Sequence, residues 1–365
     1  MVCPIYLFRR INRYGAHSGY EQLARYSRML NTETKVLTPD KALAYRLLGK
    51  LYSLWRHLPP GDQAVACVEL KSELLRLMIP NAVAHLLYAE YHLPHIAHWT
   101  KAPVNIIATI HEPKSYWSID SIDKLKHLSQ AIVLYHRDIE FFESIVGTGA
   151  VHFVPHGVDA DFFRPAEPAP AASWTADRTP SSQNNLTKHI LFVGKQYRNF
   201  GMLTRVMETL HAKHNNLHFD LVVFEKDLPE LSGIHKLTNT TLHSWITDSE
   251  LRQLYQNSYL TLLPLDDGGG NNTVVESLAS GVPLVTTDCG GIRDYGGGYV
   301  YPIVHNNDDQ AMIDLVEKYL DNPSWRDDIA TRCREFALRE LDWNVVARKH
   351  MDVYDLCAKQ FVAQR

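Results

Sequence analysis

Paired cysteines are missing from this chain. Its five, Cys3, Cys67, Cys289, Cys333 and Cys357, are odd in number, widely spaced and never in a CxxC pair, which argues against a disulfide framework and a zinc site. A reducing cytoplasm is the natural setting for such thiols. Long apolar runs are also absent: no window reaches eighteen apolar residues, and the run in MVCPIYLFRRINRYG is too short, with its arginines on the wrong side, for a secretory signal. A spanning helix and a standard leader are not expected. Nor is there a basic surplus, since 37 Lys and Arg against 41 Asp and Glu give a formal charge of -4, without the one-sided field of a nucleic-acid binder. No fixed-period repeat occurs, which sets aside solenoids and propellers.

What is present is the composition of an ordinary globular enzyme, 45% apolar and 21% charged over 365 residues. That length exceeds what one hydrophobic core usually serves, so two domains of roughly 150–180 residues are expected. Short β-rich runs, HLLYAEYH, VNIIATIH and AIVLYH, alternate with helical stretches up to Pro165; a second series runs through HILFVG, FDLVVFE, TTLHSW, YLTLLPL and PLVTTD. Alternation of this kind is the pattern of parallel sheets wound with helices. Residues 166–188, rich in Pro, Ala, Ser, Thr and Asn, read as a linker or surface insertion. Amphipathic helices follow from Asp309 to about Glu340 and from Trp343 to the end. The expected division is 1–165, linker 166–188, 189–342 and a terminal helix 343–365, with a cleft between the carboxyl edges of two sheets.

The most informative stretch is Leu262–Tyr295, LLPLDDGGGNNTVVESLASGVPLVTTDCGGIRDY. It reads as a buried strand, a glycine loop (Gly268, Gly269, Gly270), a capped helix, a second buried strand and a Gly290-Gly291 turn. Asn271, Asn272 and Thr273 are good N-capping residues for a helix over Val274–Ser280, with Gly281 and Pro283 beyond its end. Two glycine loops at the ends of parallel strands, beside a helix N-terminus, offer backbone N–H groups and a partial positive charge to a diphosphate. Glu276, one turn into the helix, has two acceptor oxygens at about diol spacing and suits a ribose.

Together with PHGVDADFFRP at 155–165, HILFVG at 189–194, LHSWITDSELRQLYQNS and WNVVARKHMDVYD, this stretch resembles the family-4 retaining glycosyltransferases of the GT-B fold. The resemblance covers most of the chain and is strongest over 242–295. It implies two Rossmann-like doubly wound domains facing across a cleft, with a C-terminal helix packing back on the first. It also implies sugar transfer from a nucleotide-diphosphate sugar to a glycan, glycolipid or small-molecule hydroxyl, with no metal or other cofactor. In that family two glutamates separated by seven residues line the donor site. Glu276 matches the second, on the ribose; Gly268 stands where the first would be, leaving Asp266 and Asp267 as the nearest carboxylates, either sugar contacts or solvated turn residues. Asp294 is a further sugar contact in this reading.

Where family members place an Arg and then a Lys to bind the diphosphate, VGKQYRNFG offers Lys195 and Arg198, cations able to stabilise the leaving group in place of a metal. The resemblance puts His111, closing VNIIATI, on a sugar hydroxyl or the reacting centre. It also puts the loop holding Gly15, His17, Ser18 and Gly19 near the donor diphosphate and acceptor, and the base near Trp245 and Ile246. Phe224-Glu225 stands where many members have a glycine pair, which leaves the base open. His156 is expected to shape the interdomain turn, with Gly157 permitting the bend, and His136 to be a packed core histidine. Lys41, Arg46, Lys50 and Arg56, interleaved with Tyr45, Leu47, Leu48, Leu51, Tyr52, Leu54 and Trp55, form an amphipathic helix over 41–57 that suits either a core face or peripheral contact with an anionic membrane. A nucleotide-sugar epimerase of the same fold and a catalytically silent binding subunit are the alternatives. The oligomeric state is open.

Overall fold

The structure is a computed structural model and describes residues 5–8, 16–37, 47, 50, 51, 54, 55, 82–91, 105–167, 187–224, 229, 231, 233, 234, 237–268 and 270–363. By internal packing the chain divides into two units, residues 1–157 with 343–365, and residues 158–342.

The first unit is built on six parallel strands, β1 (Ile5–Phe8), β2 (Lys35–Leu37), β3 (Val83–Leu86), β4 (Asn105–Ile110), β5 (Gln130–Val133) and β6 (Val151–Phe153), in the order β2-β1-β3-β4-β5-β6. Both faces are covered, and so the strands read as unbroken apolar runs rather than alternating ones. All six residues of β4 are buried. Ile107 joins Ile5, Leu7 and Ile132 in one core, while Ile106, Ala108 and Ile110 join Leu86, Val133 and Phe142 in the other. Helix α1 (Leu23–Leu30) packs on the first face; α2 (Ile119–Ile122) leads towards β5, and α3 (Ile139–Val146) supplies Phe142 to the second.

The second unit has five parallel strands, β7 (Lys188–Val193), β8 (Leu217–Val222), β9 (Thr240–His243), β10 (Ser258–Leu263) and β11 (Leu284–Thr286), in the order β11-β10-β7-β8-β9. Its helices are α4 (Phe200–Lys213), α5 (Asp248–Asn257), α6 (Asn272–Ala279), α7 (Asp309–Asp321) and α8 (Pro323–Phe336). Their starts are written locally. Asn199 Oδ1 accepts the Met202 N–H, Asp308 Oδ1 accepts the Ala311 N–H, Pro323 opens α8, and Thr247 with Glu250 closes a capping box on α5. Val158 bridges to Asp342 and Phe163 is fully buried in this unit's core, so the chain enters the second unit before the expected limit at 165. Residues 168–186 of the expected linker lie outside the described residues.

The last helix, α9 (Trp343–Ala363), returns to the first unit. Trp343, Val346, Ala347, Val353, Tyr354 and Cys357 are buried beside Leu23, Ile107 and Ile132. A polar chain fastens it. His350 Nδ1 donates to the Val346 carbonyl (2.8 Å), so its Nε2 accepts from Tyr20 OH (2.7 Å). Tyr20 in turn accepts from Thr109 Oγ1 (2.9 Å), which accepts from His85 Nε2 (2.8 Å), whose Nδ1 accepts from Tyr354 OH (2.6 Å). One carbonyl thus sets the direction of every bond in the chain.

Two expectations fail here. Gly157 does not serve a bend: its φ is ordinary, and a Cβ there would collide with the Trp343 indole, so the glycine is required by close packing. His136 is exposed rather than packed in a core, because β5 ends at Val133 and the ring lies in the following turn against Phe153.

Candidate functional site

The strand order of the second unit reverses between β7 and β10, and the loops leaving these two strands carry the glycines and cations singled out above. In open parallel sheets the carboxyl edge at such a reversal is where ligands bind. The two loops are laced together. Asn199 N–H donates to the Pro264 carbonyl and Asp266 N–H to the Tyr197 carbonyl, both at 3.0 Å.

The loop after β10 meets the loop after β11 backbone to backbone. Gly291 N–H donates to the Gly268 carbonyl (2.9 Å), and a Cβ on Gly290, at φ 55°, would drive into that same carbonyl group. Gly268 has φ 139°, a conformation other residues avoid, although the space beside it is open apart from Tyr197. The missing glutamate is therefore no simple exchange of side chains. The loop has adopted a shape that only glycine tolerates.

Next to these loops α6 begins. Asn271 Oδ1 accepts the Thr273 N–H (3.0 Å) and caps the helix, which starts at Asn272. Arg198 binds the same cap: its Nη2 donates to Asn271 Oδ1 (3.3 Å) and Thr273 Oγ1 (3.1 Å), while Nε and Nη2 donate to the Val193 carbonyl and Nη1 to that of Gln196. Most of its donors are thus engaged by the protein. Burial lowers the guanidinium to about 10, and it stays charged at neutral pH. It gives the helix N-terminus a fixed positive charge rather than a free hydrogen-bonding hand. Lys195 is exposed on the same loop.

Glu276 is 2% exposed and its Oε2 accepts from Tyr255 OH (3.2 Å). Burial, together with Glu276, raises the Tyr255 phenol well above its usual value, so it remains a donor and holds the carboxylate. Nothing in QLYQNS signals this partner, which lies 21 positions away on α5. Asp266 is exposed and accepts from Asn306 Nδ2 (3.2 Å); Asp267 Oδ1 accepts the Gly268 N–H (2.8 Å) and shapes the turn. Asp294 is partly buried in the turn that follows Gly291. Gly270 is described; Gly269 lies outside the described residues.

Beyond β8 and β9, Trp245 is 81% exposed at φ 59° and Phe224 is 44% exposed, with ring centroids 5.0 Å apart; Ile246 is partly buried beside them. Two exposed aromatic rings contribute little to a core, and Trp245 also sits in a left-handed backbone conformation that its side chain disfavours.

In the first unit His111 directly follows β4. Its backbone N–H donates to Glu90 Oε1 (2.7 Å) and its Nε2 to the Leu87 carbonyl (2.8 Å), while the ring stacks on Tyr88. Burial lowers its pKa to about 3, so the ring is neutral with Nδ1 as an acceptor. Glu90, on which the sequence gives no signal, also accepts the Glu112 N–H (3.0 Å); its Oε2 is buried with no hydrogen-bond partner among the described residues, and burial raises the carboxyl to about 7. Gly19, at φ 95°, caps the turn Tyr20–Gln22; Gly15 lies outside the described residues. Of the stretch 41–57, Leu47, Lys50, Leu51, Leu54 and Trp55 are described, all helical, with the four apolar side chains 56–69% exposed; the rest lie outside the described residues. No helix among the described residues is long and apolar enough to cross a membrane.

Two all-parallel α/β units, the last helix returning to the first, and a glycine-lined strand reversal in the second define the GT-B fold. Residues 187–322, which hold nearly all of the reversal site, match the family described as glycosyl transferases group 1, and the chain is related to that family. The α-maltose-1-phosphate synthase of Mycobacterium tuberculosis is 22% identical over 226 residues, 57% of this chain and 57% of that protein. The chain thus matches little more than half the length of that curated relative. A sucrose-phosphate synthase from Thermosynechococcus elongatus superposes over 100% of both chains with a TM-score of 0.71 at 15% identity. Anabaena HepE, solved in complex with UDP and glucose, does so over 96% of this chain and 99% of its own with a TM-score of 0.70 at 11% identity.

Proposed function

We propose that the chain is a retaining glycosyltransferase that moves a sugar from a nucleotide-diphosphate donor to a hydroxyl acceptor in the cytoplasm without a metal. The observation that carries this reading is the pair of glycine loops locked backbone to backbone at the strand reversal, beside an N-terminus charged by Arg198. There the diphosphate takes backbone N–H groups of Gly270, Asn271, Asn272 and Gly290, with Lys195 reaching it from solvent. Glu276, held by Tyr255, accepts from the ribose diol. Phe224 and Trp245 stack on the base, and the UDP bound to HepE makes uracil the first base to test. Asp266, Asp267 and Asp294 are left for the sugar. As bond breaking proceeds, negative charge grows on the leaving diphosphate, and that phosphate assists removal of the acceptor proton, so no protein nucleophile is needed.

The first unit supplies the acceptor side, through His111 and the loop ending at Gly19. A neutral His111 whose Nε2–H is committed to Leu87 accepts a sugar hydroxyl through Nδ1 and does not act as an acid. The exposed stripe Leu47, Leu51, Leu54 and Trp55 beside Lys50 suits contact with an anionic lipid surface; pelleting with anionic but not neutral vesicles supports this, and equal behaviour with both removes it.

The deciding experiment is a thermal-shift panel of nucleoside diphosphates and their sugar conjugates. A UDP-sugar is expected to raise Tm, and Glu276→Gln, which keeps the side-chain shape, to lose that response while remaining folded. If no nucleotide shifts the protein, or the variant responds in full, the donor-site assignment fails. Binding without sugar transfer identifies a silent binder instead, and an isomerised donor an epimerase.

A further inference from the structure

On one face of the second sheet, away from the glycine loops, three histidines surround a single carboxylate. Parallel register places His189 beside His218, Asp220 beside Thr241, and Val222 beside His243, so all these side chains leave the same face. His189 Nδ1 lies 2.7 Å from Asp220 Oδ2, His243 Nε2 lies 2.7 Å from Oδ1, and His218 Nε2 lies 4.0 Å from Oδ1. One ligand atom from each of His189, His218 and Asp220 falls within 4.8 Å of the others. We propose that these three residues hold one divalent transition-metal ion, Zn²⁺ first among them, with solvent completing its shell and His243 bracing the ligand Asp220.

The donor set decides the metal class. Imidazole nitrogens with one carboxylate oxygen suit zinc, copper or nickel, whereas magnesium and calcium require oxygen-rich shells. In tetrahedral zinc, bonds of about 2.0–2.2 Å place neighbouring ligand atoms roughly 3.3 Å apart. The three ligand atoms lie within 4.8 Å of one another, and side-chain rotation brings them to that spacing without moving the sheet. Asp220 is 9% exposed and no lysine or arginine pairs with it among the described residues, while the imidazoles are 23–40% exposed and give an ion a way in. Outside the cluster the only other hydrogen bond of these side chains among the described residues is His218 Nε2 with Thr241 Oγ1 (2.8 Å), which metal binding through that nitrogen exchanges.

The position gives the ion a structural role. An ion held by His189 of β7 and by His218 and Asp220 of β8 would clamp these two strands, while the His243 bond to Asp220 ties on β9 at the edge of the sheet. His189 is the second residue of β7, and Gly194 follows the far end of that strand, on the order of 16 Å away at about 3.3 Å per residue, so the site is separate from the proposed sugar chemistry. Without metal, the same geometry is a buried carboxylate satisfied by imidazole N–H groups, and the experiment must separate these cases.

Tag-free protein stripped with chelator is titrated with Co²⁺ and with Zn²⁺. Expected are one equivalent bound, visible absorption bands of tetrahedral Co²⁺ that Zn²⁺ bleaches, and a rise in Tm with Zn²⁺. His218→Gln and, independently, His189→Gln are expected to weaken binding at least tenfold with the metal-free melt unchanged; both rings are partly exposed, so folding is preserved. No saturable binding, or full affinity in both variants, overturns the proposal and leaves the carboxylate satisfied by imidazoles alone.

Discussion

At the residue scale, the sequence marked candidate positions, and the structure shows what each of them touches. Gly268 and Gly290 were legible because glycines clustered at the end of an apolar strand point to backbone recognition. That one packs against the carbonyl of the other was not, since 22 residues separate them and only the strand pairing brings them together. Gly290→Ala forces either a backbone clash or a shift of the loop, at a cost of about 1–3 kcal/mol. In a unit of this size that lowers Tm by roughly 2–12 °C. The nucleotide response is expected to vanish with it; an unchanged melt and an unchanged response would show that the loop contact is incidental. Arg198 illustrates the converse. The sequence offers it as a diphosphate-binding cation, but its donors are engaged on Val193, Gln196, Asn271 and Thr273, so in the proposed site its contribution is field rather than contact. Glu276 was legible from the family spacing, whereas its orienting partner Tyr255 left no mark in the chain.

At the scale of elements, strands and caps were written locally, and fastening was not. An unbroken apolar run marks β4, and capping residues mark α4 and α5, from short windows, because the forces involved act within a few residues. The chain of bonds from Tyr354 to His350, which ties α9 to β3, β4 and Tyr20, joins positions up to 330 apart. It makes the first unit sensitive to acid. Burial lowers His156 and His350 to about 4, against about 6.5 in an unfolded chain, so the unfolded state binds the extra protons between those values. Their contribution is complete above about pH 6.5 and is lost as pH falls towards 4, on the order of 3 kcal/mol each. Glu90 opposes them: its carboxyl, raised to about 7, contributes stability that is full near pH 4 and is lost as pH rises through 7. Hydrogen exchange over Trp343–Cys357 should therefore be slow at pH 7 and markedly faster at pH 5 after correction for intrinsic rates, with Glu90→Gln steepening the change. Equal protection at both values would mean that these histidines are not held neutral.

At the scale of the whole molecule, the second unit is one continuous stretch and the first is not. Residues 158–342 carry their own core and all the residues proposed to hold the nucleotide. Expressed alone, they are expected to fold and to keep the thermal response to a nucleoside diphosphate within about tenfold in affinity. A chain ending at 342 is expected to lose the first unit instead, because it removes Trp343, Val346, Tyr354 and Cys357 from a core where each buried side chain contributes about 1.5–3 kcal/mol. An insoluble 158–342 fragment, or a 1–342 chain with an intact first unit, would contradict this division. The sequence by itself determined the alternation of strand and helix, the two parallel sheets, the capped helix and the glycine loops, since each follows from periodicity or from a residue's own backbone preference. Tertiary structure alone decided that the glycine loops interlock, that Tyr255 holds Glu276, that Glu90 sits beneath His111, and that three histidines converge on Asp220. These depend on register and packing between distant segments, which no local window of the chain contains.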